Sequence, residues 1–191
     1  MLLSPDQKIE SPLAVNAIHL WIDLYAPISL VFNYLTGAKE LSTWWASRCE
    51  TDRQLGGKLH FIWDGDVIRT GDAIFQTYDA PDRITVEWTH GDGQPIGIDG
   101  GDKRGLMFTP RTHYQLTVME DGRTRLHMVD HGINASPDFA ALHHATVTGW
   151  QECLTRLKRV VETRHSQNLA QDMRRKQKKD VAGKVQAEFG G

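Results

Sequence analysis

The sequence predicts an α+β domain. A curved antiparallel sheet of about seven strands wraps around one long C-terminal helix, and two short helices follow the first strand. Three observations carry this. Ile18, Leu20, Ile22 and Leu24 alternate with His19, Trp21 and Asp23, the period of two expected of a half-buried strand. A run of further strand patterns follows, punctuated by the turn residues Asp64-Gly65, Asp79-Ala80-Pro81 and Asp121-Gly122. Finally, Phe139, Leu142, His143, Thr146, Trp150, Cys153, Leu154, Leu157 and Val161 recur at close to 3.6-residue spacing.

After the first strand, Pro27 suits a first helical position, and Leu30, Val31, Phe32 and Leu35 keep helical spacing until Gly37. A second helix, about Ala38 to Ala46, places Leu41, Trp44 and Trp45 on one side. Strands are expected at Arg48 to Thr51, Lys58 to Trp63, Val67 to Tyr78, Arg83 to His90, His113 to Glu120 and Thr124 to His131. In the last hairpin, a two-residue turn would set Leu116 against His127 and mix apolar with polar on one face. A three-residue connection, Asp121 to Arg123, pairs Leu116 with Met128, Val118 with Leu126 and Tyr114 with Asp130, and is the expected form. Ser136 is the expected N-cap of the long helix, with Pro137 in its first turn. This divides the chain into an arm (1–13), a domain (14–164) and a basic tail (165–191), either a helical extension or disordered.

Composition narrows the function classes. With 191 residues, 40% hydrophobic and 24% charged, the chain is long enough for a real core and has no apolar stretch of membrane-spanning length. Asp6, Lys8 and Glu10 break up the N-terminal region, so no export signal is expected and the reading is cytoplasmic. A net charge of -2 gives no electrostatic reason for a nucleic-acid partner. Cys49 and Cys153 lack a CxxC partner and read as reduced packing thiols. Among nine histidines, His127 and His131 share a strand face but lie about 13 Å apart, and His143 and His144 point in different directions on a helix. No metal site and no cofactor are expected. The basic run Arg174 to Lys179 reads as a solvated helix end or loose tail.

A closer resemblance lies in Val31-Phe32, Leu41 through Trp44-Trp45, Gly56-Gly57, Gly71, Pro81, Trp88, Thr124 with Leu126 and Met128, Gly132, and Gly149-Trp150 with Leu154 and Leu157. In that order, over residues 14 to 162, these resemble the activators of the heat-shock-90 ATPase, a family of the START-like, helix-grip superfamily. The resemblance implies a sheet gripping the C-terminal helix, with a cavity between them that relatives use for lipids, hormones or polyketides. It implies no reaction. Two-domain members stimulate the chaperone ATPase; this chain has the length of one domain.

Face assignments then nominate a pocket. Trp63, Trp88, His90, Tyr114, Met128 and Asp130 are expected to point inward from strands, Trp45 from the second short helix, and Phe139, His143 and Thr146 from the long helix. An aromatic lining with few polar groups suits an apolar or aromatic small molecule; the same residues could also simply fill a core. His90, Asp130 and His143 would supply an acid or base if the pocket were a cyclase or hydrolase site. A surface role as chaperone cofactor, and a homodimer, remain further readings. The Gly-rich stretch 91–110 reads either as a lid over the pocket mouth or as a surface insertion. Gly149 is expected to let the helix backbone approach the sheet, and the Trp150 indole beside it to cover the gap and close the inner end of the cavity.

Overall fold

The computed structural model describes residues 17–89, 106–133 and 137–189, with side chains described for 17–89, 110–132 and 137–179. His90, Ser136 and most of the Gly-rich stretch lie outside the described residues. Seven strands form one antiparallel sheet in the order β1-β7-β6-β5-β4-β3-β2. They are β1 (Ile18–Leu24), β2 (Arg48–Thr51), β3 (Lys58–Trp63), β4 (Arg69–Asp79), β5 (Arg83–Thr89), β6 (Leu106–Val118) and β7 (Thr124–Ile133). The helices are α1 (Ile28–Thr36), α2 (Ala38–Leu41) and α3 (Ala140–Phe189), the last preceded by a 3-10 turn at Pro137–Phe139.

The alternation in β1 translates into burial: Ile18 and Leu24 are buried while Trp21 is exposed. Pro27 caps α1 in extended geometry, and Val31, Phe32, Tyr34, Leu35 and Thr36 form its buried side. α2 is shorter than expected. It stops at Leu41, whose carbonyl takes the amides of Trp44, Trp45 and Ala46, and the chain turns there. That turn hooks the Trp44 indole under α1, where Nε1 donates to the Tyr34 carbonyl at 3.0 Å, and lays Trp45 against the sheet.

The last hairpin corrects the expected register. Its connection has three residues, but they are Glu120 to Gly122: Met119 N donates to Arg123 O, Gly122 N donates to Met119 O, and Gly122 sits at φ +81°. A three-residue loop of this kind puts its third residue in the left-handed region, which glycine tolerates and Arg123 would not. The turn therefore centres one residue earlier than expected. Tyr114 pairs with Met128, Leu116 with Leu126, Val118 with Thr124, and Thr112 rather than Tyr114 faces Asp130. The shift is an even number of residues, so every side chain keeps its expected face.

β6 also starts well before His113. Pairing with β7 slips between Leu106 and Arg111, and Pro110, which has no N–H to give a ladder, falls in that irregular stretch. β4 begins at Arg69 rather than Val67.

α3 crosses the inner face of the sheet with Trp150, Leu154, Leu157 and Val161 buried. Leu142, expected in the stripe, is 40% exposed, because the first turns of α3 run past the closest part of the core. The role expected of Gly149 is not met: a Cβ there would touch nothing within 4 Å. Past Arg164 the helix continues to Phe189, with every residue of 171–179 exposed. Strong helix formers such as Arg, Lys, Gln and Ala sustain it there without a buried face. No helix among the described residues is long and apolar enough to cross a membrane.

Candidate functional site

Strand alternation puts Phe61 and Trp63 (β3), Gly71 and Ala73 (β4), Val86 and Trp88 (β5), Thr112 and Tyr114 (β6), and Met128 and Asp130 (β7) on the inner face beneath α3. The aromatic rings meet. Trp45 lies 4.7 Å from Phe61, 5.6 Å from Trp88, 5.4 Å from Trp150 and 6.5 Å from Trp63, between ring centroids. Trp63 Nε1 donates to the Trp45 carbonyl at 2.9 Å, tying the α2 turn to β3. Gly71 makes this packing fit: a Cβ there would come within 3.1 Å of both Trp63 and Trp88. Trp45, Trp63 and Trp88 are only partly buried. Each indole therefore keeps some open surface on the side not packed.

At the far end of this aromatic face lies a buried polar centre. Asp130 is 7% exposed; Oδ1 accepts from Thr112 Oγ1 at 2.8 Å and Oδ2 from Trp150 Nε1 at 2.9 Å. Burial raises the Asp130 carboxyl to about 6, against the opposing pull of these two hydrogen bonds. Tyr114 is 2% exposed, and its hydroxyl has no hydrogen-bond partner among the described residues. Burial, then the charges of Asp130 and Cys153, push its phenol well above the usual value. A buried polar atom without a partner costs about 1–3 kcal/mol, which makes Tyr114 the least explained group of the core.

The structure thus brings Tyr114, Met128 and Asp130 onto one wall, with Trp45, Trp63 and Trp88 beside them. Phe139, His143 and Thr146 continue the helix face of Trp150 but are only half buried. The Thr146 hydroxyl is spent on its own helix, on the Leu142 carbonyl. Asp130 takes its hydrogen bonds from Thr112 and Trp150 rather than from His143. Thr112 and Phe61 lie on the same wall although the sequence did not nominate them for it. Thr112 depends on the hairpin register, whereas Trp150 was expected at the inner end of the cavity and only its indole N–H was overlooked.

Five histidines, His19, His60, His113, His127 and His131, sit on the opposite, outer face of the sheet. His19 Nδ1 and His127 Nε2 are 3.2 Å apart, with Trp21 stacked on His127 at 4.6 Å. His113 meets His131 edge-on at 5.0 Å and bonds Thr85 at 2.9 Å. Beside them, the buried Glu87 carboxylate pairs with the half-exposed Arg111 guanidinium and accepts a hydrogen bond from Gln76. Among the described residues no three His, Cys, Asp or Glu side chains gather as a metal site. Both cysteines are free thiols, and burial pushes Cys49 up to about 12, far from a reactive thiolate.

Comparison with solved structures gives the same architecture. A protein of Nitrosomonas europaea is 17% identical, with 80% of this chain and 98% of that one covered and a TM-score of 0.64. The Aha1 dimer from Colwellia psychrerythraea is 18% identical, with 76% and 96% covered and a TM-score of 0.58. DynU16, from the dynemicin biosynthetic locus, is 18% identical, with 78% of this chain but 48% of that one covered and a TM-score of 0.59. No curated protein matches the chain. The model of one family spans residues 25–162, which begins just after β1 and takes in β2 to β7 together with the buried part of α3. By this match the chain belongs to the activator of Hsp90 ATPase homolog 1-like family.

Proposed function

We propose that the protein binds an apolar or aromatic small molecule on the inner face of the sheet, beneath α3. The observation that carries the reading is the set of partly buried indoles, Trp45, Trp63 and Trp88, which lead to the enclosed Asp130 and Tyr114. Apolar walls with a few convergent polar groups are what small-molecule sites are made of. Met128 fills the floor, and Phe139, His143 and Thr146 flank the helix side. His90, next on β5's sequence, belongs to the same proposal. Native mass spectrometry of freshly purified protein, and a panel of fatty acids and aromatics read by tryptophan emission, test it. Retained or added ligand supports the site; no response across the panel sinks it.

A second copy of the chain is the partner we infer for the outer end of α3. Tyr25, Val118 and Leu169 are exposed around a groove of about 580 Å³, with Met173 one turn further along the helix. The dimeric Colwellia neighbour supports this reading. Light scattering at micromolar concentration checks it, and a monomer that persists there removes it.

A further inference from the structure

Asp130 and Tyr114 hold unlike hydrogen-bonding capacity at one end of an apolar wall. Each carboxylate oxygen of Asp130 already accepts one bond, from Thr112 and from Trp150, and a carboxylate offers about four lone-pair sites in all. What Asp130 has left is acceptor capacity. Both of its donors are neutral groups, so among the described residues no cation pairs with it. The Tyr114 hydroxyl, enclosed and unpartnered among the described residues, has a proton to donate. Trp150 bridges the two: its ring lies edge-on to Tyr114 at 6.4 Å while its N–H holds Asp130.

We propose that this pair selects neutral aromatic molecules carrying a hydroxyl, such as a phenol, over hydrocarbons and over carboxylates. The proposal rests on the small-molecule site inferred above. A hydroxyl both accepts, as the Tyr114 proton requires, and donates, as the Asp130 lone pairs require. A ketone meets Tyr114 alone, and a hydrocarbon meets neither. A carboxylate also accepts from Tyr114, but it sets a second negative charge beside Asp130 where little water reaches to screen it. Above pH 7 Asp130 is mostly ionised, so the discrimination is strongest there.

The experiment compares 4-butylphenol, butylbenzene and 4-butylbenzoate, which share one apolar body, at pH 8. Binding is read by native mass spectrometry and by tryptophan emission. The phenol is expected to bind roughly tenfold more tightly than the hydrocarbon, with the benzoate weakest. Tyr114→Phe brings the phenol to within about threefold of butylbenzene and leaves butylbenzene unchanged. Asp130→Asn admits the benzoate. Tyr114→Phe deletes an oxygen that no described protein group bonds, so its fold is expected intact, and circular dichroism verifies it. If the three probes bind without this order, or the order survives both substitutions, the selection is overturned while the small-molecule site stands. If no probe binds and the wider panel fails as well, both readings fall.

Discussion

Thr112 and Asp130 stand directly opposite each other on β6 and β7, and the threonine hydroxyl donates to Oδ1 at 2.8 Å. The pairing follows from Gly122, whose left-handed backbone fixes where the hairpin turns. With the turn one residue later, the Tyr114 phenol would stand opposite the carboxylate and Thr112 opposite Gly132, which has no side chain to offer. A local backbone requirement at one end of the hairpin thus decides which hydroxyl satisfies a charge several residues away.

Thr112→Val keeps shape and removes that donor. The ionised carboxylate then depends on Trp150 alone, and the variant is expected to lose about 1–3 kcal/mol at pH 8. The loss shrinks at pH 5, where Asp130 is largely protonated. Urea denaturation at the two pH values measures both figures.

Asp130 itself gives the protein a definite pH slope. Its folded pKa, about 6, is raised above the 3.8 of a free aspartate. Its contribution to stability is therefore fully present below about pH 3.8 and is lost as pH rises through about 6, a difference on the order of 3 kcal/mol. Asp130→Asn has no charge to bury. It is expected to match or exceed wild-type stability at pH 8 and to give up that advantage between pH 6 and pH 4, as followed by denaturant midpoints.

His113 pulls the other way. Burial first, then His131 and Arg111, lower its pKa to about 4. The groups facing it are Thr85 on β5, Arg111 on its own strand and His131 on β7. The unfolded chain takes up a proton near pH 6.5 that the folded one refuses, so stability falls as pH drops from about 6.5 to about 4. His113→Gln keeps a hydrogen bond to Thr85 within reach. It is expected to flatten this slope in thermal melts across the window, with the slope from Asp130 left exposed.

Two glycines are expected to respond in opposite directions. Gly149→Ala gains helix propensity and meets open space, so it stabilises by about 0.5–1 kcal/mol. Gly71→Ala drives a methyl toward Trp63 and Trp88 and costs about 1–3 kcal/mol, with a change in tryptophan emission. Equal responses at the two positions would show that the helix and sheet approach each other differently.

Trp150→Ala removes a buried ring and one of the two donors to Asp130. A loss on the order of 3–5 kcal/mol is expected. Trp150→Phe, which retains most of the ring but not the N–H, is expected to lose less and to raise the Asp130 pKa further. Chemical denaturation and the pH profile separate the two effects.

Element order and face were legible in the sequence because period-two alternation and turn residues are local signals. Lys58–Trp63 and Arg48–Thr51 stand where alternation put them, and Tyr114, Met128 and Asp130 point inward as expected. Register was harder, since it turns on which loop position needs φ > 0, and Gly122 fits only the last. The His19–His127 contact could not be seen in spacing along one strand. It appears only once β1 is known to pair with β7, which sets Trp21 opposite His127 and His19 one step diagonal to it. Gly149 misled for a related reason: a glycine beside a buried tryptophan suggests close approach, but here its own side of the helix faces open space.

The β1–β7 seam has a kinetic meaning. Five of the six strand pairings join neighbours in sequence order, whereas β1 and β7 bring Leu24 opposite Thr124 and Ile18 opposite Asp130. Closing a loop of about a hundred residues costs roughly 3 kcal/mol more entropy than closing a tight hairpin. The seam is therefore the slow step in assembling the sheet. Because Ile18 pairs directly with Asp130, the strand that carries the carboxylate stays an open edge until that step is complete. The buried polar centre is among the last parts of the molecule to form, and among the first exposed when β1 peels away.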